Sequence, residues 1–152
     1  MKIKNIFTIT LFSIFLFTAC SADIAPGTAN VIDVETKGTS GKYYFYVTLL
    51  SDETGCEQYA DWWEVLDENG KLLYRRILVH SHPDDQPFRR SGGSVDVTPT
   101  QTLYIRAHMN KNAYKGDLFK GSISKGFSKT QESVKNSSVV ESLFPQPNGC
   151  LF

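Results

Sequence analysis

Two histidines separated by a single residue, His80 and His82, are the side chains in this sequence best suited to metal chemistry. Residues two apart on a β-strand point to the same face, so both imidazoles would be presented to one ion. Asp84 follows in the next loop, and His108 lies near the end of another predicted strand. Imidazole and carboxylate ligands suit zinc or copper. One interpretation is therefore a zinc or copper site formed by His80, His82, His108 and Asp84.

We favour a simpler interpretation of the same stretch, in which it holds no cofactor. Two exposed histidines in front of Pro83 would form hydrogen bonds with Asp84 or Asp85. A closed metal site needs three ligands brought together by the fold, and the spacing alone does not provide that. Metal binding is therefore kept as the alternative.

Catalytic motifs are missing from the sequence. It contains no Gly-x-Ser-x-Gly, no phosphate-binding loop, no His-Glu-x-x-His and no dinucleotide fingerprint. Ser81 lies between the two histidines, but on a strand it would point away from both rings. We therefore expect a protein that is not an enzyme.

Two further groups of side chains could form binding surfaces. An aromatic set would suit sugars or peptides, although one Trp of such a pair more often lies in the core. An arginine set would suit anions, although a solvated face paired with acidic groups is the simpler explanation. The aromatic set is Tyr59, Trp62, Trp63 and Tyr74, and the arginine set is Arg75, Arg76, Arg89 and Arg90.

A β-hairpin is predicted to carry most of these candidates. Its strands are residues 61–66 and 71–79, and Asn69-Gly70 is the turn between them, because both residues tolerate positive φ. A two-residue turn places Glu64 opposite Arg75 and Trp62 opposite Ile77. A four-residue turn would shift the pairing by two residues and keep the same faces. We interpret Glu64 and Arg75 as a cross-strand ion pair worth a few tenths of a kcal/mol.

Alternating apolar and polar residues predict further strands on both sides of the hairpin. They lie at residues 31–35, 42–50, 94–98, 102–109 and 117–124, with a loop at 89–93. On the strand at 102–109, Leu103, Ile105 and Ala107 face inward, whereas Tyr104, Arg106 and His108 face out. About seven short strands with frequent turn signals are typical of an all-β, antiparallel β-sandwich.

The order of these strands resembles an immunoglobulin or fibronectin III domain. The resemblance rests on a Trp-bearing strand, a hairpin, and the corner Val97-Thr98-Pro99 before Leu103-Tyr104-Ile105-Arg106-Ala107, and it implies fold alone. The segments 59–65 and 72–82 also resemble an uncharacterised group of exported bacterial proteins.

The first twenty residues form a separate export signal. Lys2 and Lys4 precede an apolar run that is too short for a membrane span, and the run ends in Phe17-Thr18-Ala19-Cys20. This ending resembles the signal of bacterial lipoproteins. The resemblance implies a signal peptide at 1–19, lipidation of Cys20, and a tether over 20–30 that holds a domain at 31–124. If the cell is Gram-negative, Ser21 after the cysteine implies that the protein is anchored to the outer membrane, on either its periplasmic face or its surface face.

The other two cysteines, Cys56 and Cys150, suit a disulfide in an oxidising compartment. The bridge would fix residues 125–152, which we predict to be a largely irregular tail with at most one short helix. Formal net charge is zero, and nothing indicates nucleic acid as a partner. The sequence thus predicts an envelope lipoprotein, held on a membrane by lipid, with a single binding or structural module. Its ligand could be a protein, a glycan or a small molecule.

Overall fold

The computed structural model of the protein describes residues 24–151, so the predicted signal and Cys20 lie outside the described residues. Within that range the chain is almost entirely β. Its elements in order are β1 (Ala29–Thr39), β2 (Lys42–Ser51), β3 (Ala60–Asp67), β4 (Leu72–Ile77), β5 (Phe88–Val95), β6 (Leu103–Met109), β7 (Leu118–Ser122), β8 (Gly126–Thr130) and the short helix α1 (Ser137–Glu141).

The strands form two antiparallel sheets that pack as a sandwich. One sheet has the order β1-β2-β5, and the other has the order β4-β3-β6-β7-β8. Alternate residues of β2 and β3, such as Phe45, Val47, Trp63 and Val65, meet in the core, where each of these four is fully buried. The prediction of an all-β sandwich is confirmed, with eight strands in place of about seven.

The β3–β4 hairpin has the predicted register. Trp62 pairs with Ile77 and Glu64 pairs with Arg75 across the two strands. Gly70 adopts a φ of 79°, and the Asp67 carboxylate accepts the N–H groups of Asn69 and Lys71, each at 2.9 Å. The turn is therefore fixed by a glycine that tolerates positive φ and by a local side-chain acceptor.

Strand β5 differs from the sequence prediction. A loop was expected at 89–93 and a strand at 94–98, but the strand runs from Phe88 to Val95 and pairs with β2. Two adjacent glycines hide this strand from pattern analysis, because glycine usually weakens strands. Here Gly92 is needed for space, since a Cβ atom would lie 2.6 Å from Tyr74 and 2.9 Å from Trp63.

The C-terminal region is more ordered than predicted. Residues 126–130 form β8, which extends the larger sheet by pairing with β7, so the expectation of an irregular tail from residue 125 is wrong there. The polar residues of β8 suit an exposed edge strand and leave little hydrophobic signal. The short helix is present as α1, and the predicted Cys56–Cys150 disulfide is confirmed, with Cα atoms 5.5 Å apart. No helix within residues 24–151 has the length and hydrophobicity to cross a membrane.

Candidate functional site

The larger sheet has a second face, which we call the outer face, turned away from the sandwich core. The alternation of β3 and β6 places large polar and aromatic side chains there, in directly opposed pairs: Trp62 with His108, Glu64 with Arg106, and Leu66 with Tyr104. Arg75 of β4 stands opposite Glu64 on the other side. All seven side chains are buried.

Glu64 is the centre of the outer face. Its Oε2 atom accepts hydrogen bonds from Arg75 Nε and Nη2 at 2.9 and 2.7 Å, and its Oε1 atom accepts one from Arg106 Nε at 2.7 Å. The Glu64 side chain is 0% exposed. The predicted partner of Glu64 is therefore right, but its environment is not the exposed surface that we expected. A buried charge of this kind depends on its partners far more strongly than a surface pair does.

His108 lies beside this cluster and is held on every side. Its ring stacks on Trp62 with centroids 3.6 Å apart, Nδ1 is 2.6 Å from Asp61 Oδ1, and Nε2 is 3.4 Å from Glu141 Oε1. Burial raises the pKa of Asp61, and the hydrogen bond with His108 acts in the opposite direction. His108 is thus fixed between two carboxylates and an aromatic ring.

Residues 131–151, which we call the C-terminal strap, cover the outer face. Arg75 donates to four of its carbonyl oxygens, those of Val140, Glu141, Leu143 and Pro145, at 2.7, 3.4, 2.6 and 3.2 Å. Val140 is buried against Leu66 and Tyr104. At its end the strap is held by the disulfide, by a hydrogen bond from the Leu151 N–H to the Val79 carbonyl, and by the contact of the Leu151 carbonyl with His80 Nδ1. The strap explains why polar residues facing away from the core are buried.

An open cleft lies where the strap meets the β6–β7 connection and the segment after β8. Its volume is about 360 Å³, and its lining includes Arg106, Tyr114, Lys115, Asp117, Glu132 and Ser137. Tyr114 reaches this position through a tight turn at residues 109–113, where Ala113 adopts a φ of 55°. The Tyr114 ring lies against the Arg106 guanidinium, 3.4 Å from Cζ to centroid, and its hydroxyl accepts a hydrogen bond from Trp62 Nε1 at 3.2 Å. We call this space the Arg106 cleft.

The residues predicted as metal ligands have separate surroundings. His80 is exposed, and its Nδ1 is 3.1 Å from the Leu151 carbonyl oxygen. His82 is buried and stacks on Phe88 with centroids 4.0 Å apart, while its backbone N–H donates to Glu53 at 2.5 Å. His108 belongs to the outer face, and Asp84 is exposed.

The expectation that His80 and His82 leave one face of a strand is wrong, because β4 ends at Ile77 and the chain beyond it is irregular. In the described part of the chain, no three His, Cys, Asp or Glu side chains are placed to hold a metal ion. The expected hydrogen bonds of these histidine rings to Asp84 or Asp85 are not found in the described part of the chain. The His80 ring contacts the Leu151 carbonyl instead, and the buried Nδ1 of His82 has no hydrogen-bond partner there, with Glu53 Oε2 3.8 Å away.

The other two candidate surfaces are also divided by the fold. Trp63 and Tyr59 are buried, Trp62 is buried on the outer face, and Tyr74 packs against the core, so they form no exposed aromatic surface. Arg75 is on the outer face, whereas Arg89 lies on β5, where it pairs with Glu35 at 2.6 Å. Arg76 is exposed and Arg90 is partly exposed, each beside one of these residues in the chain.

Sequence reasoning missed Tyr114, Ser137, Glu141 and Glu53 as parts of polar clusters. Glu53 is buried and accepts from Ser51 Oγ at 2.6 Å as well as from His82. Two signals for the covered face were present. The outward set on β6, Tyr104, Arg106 and His108, is large and aromatic for an exposed face, and the strap holds an apolar group around Val140 that needs a surface to pack on.

Comparison with known proteins gives one informative relative. A protein of Halomicrobium mukohataei, described as a "Putative lipoprotein", is 38% identical over 89 residues. The matched stretch is 58% of this chain and 44% of the relative, so this chain spans less than half of that protein. No family model matches this chain, and no solved structure matches it.

Proposed function

We propose that this protein is a lipid-anchored protein of the cell envelope whose β-sandwich acts as a binding module. The anchor is supported by the position of Cys20 at the end of an apolar leader that begins with lysines, and by the description of the Halomicrobium relative. Several acyl chains on one cysteine exceed what stable membrane attachment requires. Ser21 supports the outer membrane as the location, if the cell is Gram-negative.

A binding role is supported above all by the Arg106 cleft. The cleft is open to solvent, yet one of its walls is a buried arginine held by Glu64. Clefts with a few fixed polar groups are the usual form of small-ligand sites. In contrast, the buried acid and base groups of the outer face, Glu64 and His108, are already bonded to other protein groups. We therefore propose binding rather than catalysis.

The sandwich itself also supports an immunoglobulin-like arrangement. Its first seven strands divide three and four between two antiparallel sheets, as in that class of domain. Such domains serve many unrelated functions, so the fold adds nothing to the choice of ligand. The zinc or copper alternative has no supporting geometry in residues 24–151.

Replacement of Cys20 tests the anchor. The wild-type protein should stay in the membrane fraction through washes with high salt and alkaline carbonate, and Cys20→Ser should move to the soluble fraction. Ser21→Ala is the matched control, because it changes the neighbouring residue and keeps the thiol. If Cys20→Ser remains membrane-bound like the control, the proposed lipid anchor is wrong.

A further inference from the structure

Arg106 lies between the charged outer face and open solvent. Its side chain is 4% exposed, and Nε is bonded to Glu64. Its Nη1 donates to the hydroxyl of Ser137. Nη2 has no hydrogen-bond partner within residues 24–151, although it is buried. A guanidinium has five N–H donors, and buried donors are rarely left unpaired. The Nη2 donor of Arg106 is therefore left without an acceptor within residues 24–151.

The charges around Arg106 are also unequal. One carboxylate, Glu64, is shared by Arg75 and Arg106, which leaves this group of three with a net positive charge. The nearby Asp61 is hydrogen bonded to His108, and its charge acts on Arg75. A buried charge is costly unless it is paired. Arg106 therefore shares its carboxylate partner, and its Nη1 and Nη2 atoms have no charged acceptor within residues 24–151.

The Arg106 cleft provides room for that anion. A volume of about 360 Å³ corresponds to roughly ten water molecules, which is enough for a small organic acid. Lys115 lies exposed at its rim. The two acidic residues of the lining are paired elsewhere, Asp117 with Lys129 at 2.6 Å and Glu132 with Lys120 at 2.7 Å. The acidic groups of the cleft are thus paired with lysines, whereas Arg106 shares its carboxylate with Arg75 and Lys115 forms no salt bridge within residues 24–151.

The shape of the guanidinium selects among anions. The Tyr114 ring covers one of its faces. The N–H donors lie in the plane of the guanidinium, so an anion that accepts from them approaches its edge. The present partner of Nη1 is the neutral Ser137 hydroxyl, and a charged acceptor forms the stronger hydrogen bond. Two parallel N–H groups on one edge match the two oxygens of a carboxylate.

We propose that the Arg106 cleft binds a small organic carboxylate, which takes the place of the Ser137 hydroxyl and pairs with Nη1 and Nη2 of Arg106. A second negative group on the ligand would reach Lys115. This inference rests on the proposed role of the sandwich as a binding module, and it does not depend on the lipid anchor.

Succinate is the test probe, and its uncharged diamide, succinamide, is the control of equal shape. Binding is measured by titration calorimetry on the full chain, purified from whichever cell fraction contains it, at constant ionic strength. We expect saturable binding of succinate at one site and at least about tenfold weaker binding of succinamide. Equal behaviour of the two compounds, or binding of inorganic phosphate without binding of succinate, would contradict the proposal.

Ser137→Asp locates the site without disturbing the core. The new carboxylate would reach Arg106 and act as an internal ligand, so succinate affinity should fall at least about tenfold. Ser138→Asp is the matched control, because it adds the same charge at the next, exposed position and should leave affinity within about twofold. If both variants bind succinate like the wild type, the ligand is not held by Arg106.

The two proposals fail separately. If succinate does not bind but Cys20→Ser is released from membranes as expected, the carboxylate ligand is rejected and the envelope lipoprotein is kept. Succinate binding by a protein that is never membrane-bound would reject the anchor and keep the cleft.

Discussion

The two faces of the larger sheet are both sealed from water, but by opposite means. The inner face holds Trp63, Val65 and Ile105, each 0% exposed, against the three-stranded sheet. On the outer face Glu64 is just as inaccessible, although it is charged, and what covers it is the C-terminal strap. The inner face is stabilised by apolar area removed from water. The outer face instead buries charged groups, and the cost of taking them out of water is offset by the partners that the sheet and the strap supply.

The comparison indicates where the molecule is robust and where it is vulnerable. An apolar core tolerates substitutions that keep its volume. A buried charge cluster does not tolerate the loss of one member, because the remaining charges are then unpaired. The strap is also held mainly by polar contacts, chiefly those of Arg75, and by the disulfide, and of its apolar side chains Val140 is buried. We therefore expect the outer face to open or destabilise first.

Removal of the disulfide should have the largest effect. The bridge joins residues separated by 94 positions, and a loop of that length corresponds to about 4–5 kcal/mol in the chain-entropy model. Cys56→Ala combined with Cys150→Ala should lower the free energy of unfolding in urea by that order. Wild-type protein unfolded under reducing conditions is the control and should behave alike. An unchanged unfolding midpoint in both would show that the bridge does not hold the strap.

Neutralising Glu64 should have the next largest effect. Glu64→Gln keeps the shape of the side chain but leaves Arg75 and Arg106 buried without the carboxylate that they share, which costs about 3–5 kcal/mol. The control is Glu35→Gln, which removes one partner of the surface pair with Arg89 and should cost at most about 1 kcal/mol. Urea unfolding of both variants measures the difference. Equal costs would mean that the outer face is not a sealed, charged layer.

Sequence patterns predicted the inner face well, because period-two alternation and the Asn69-Gly70 turn act locally. The register that pairs Glu64 with Arg75 is the one expected for a two-residue turn, although the pairing shifts by one residue between Val65 and Leu66. The outer face was assigned to solvent, since alternation says which residues share a face but not what covers it. The strap is brought there by contacts far apart in sequence, such as Arg75 with Leu143.

The candidate sites could not be predicted correctly from the sequence for a related reason. His80 and His82 have the spacing of a ligand pair, but the strand ends before them, and Glu53, 29 residues upstream of His82, fixes the backbone there. The importance of Tyr114 and Ser137 depends on a turn and a strap that meet over Arg106. Neither of these long-range contacts corresponds to a motif in the sequence.

Acidification should reveal a smaller effect at the edge of the inner face, where His82 stacks on Phe88. Burial lowers the pKa of His82, and the charge of Arg90 acts in the same direction, against Glu53 and Asp85. The unfolded chain therefore takes up a proton near pH 6.5 more readily than the folded one. The stability contributed by His82 is fully present above that pH and is lost as pH falls toward the depressed folded pKa.

Thermal unfolding measured from pH 7.5 down to pH 5 tests this effect. His82→Gln should lose less stability over that range than the wild type, even though the loss of stacking destabilises it at neutral pH. His80→Gln is the matched control, because His80 is exposed in the same loop, and its pH profile should follow the wild type. The raised pKa of Asp61 has the opposite effect on stability: the stability that Asp61 contributes is lost as pH rises from about 3.8. This effect of Asp61 is the same in the wild type and in both variants, so it does not change the comparison between them. Parallel profiles for all three would contradict the assignment to His82.

Hydrogen exchange of the strap amides tests the closed outer face most directly. The N–H groups of Val140, Leu143 and Leu151 donate to carbonyls of Asn136, Val140 and Val79 at 3.1, 3.0 and 2.6 Å. Exchange at these amides should be at least about a hundredfold slower than in an unfolded chain, and the double cysteine variant should lose that protection before β3 and β6 do. Exchange of all three at the unfolded rate, with β3 and β6 still protected, would mean that the strap does not cover the sheet.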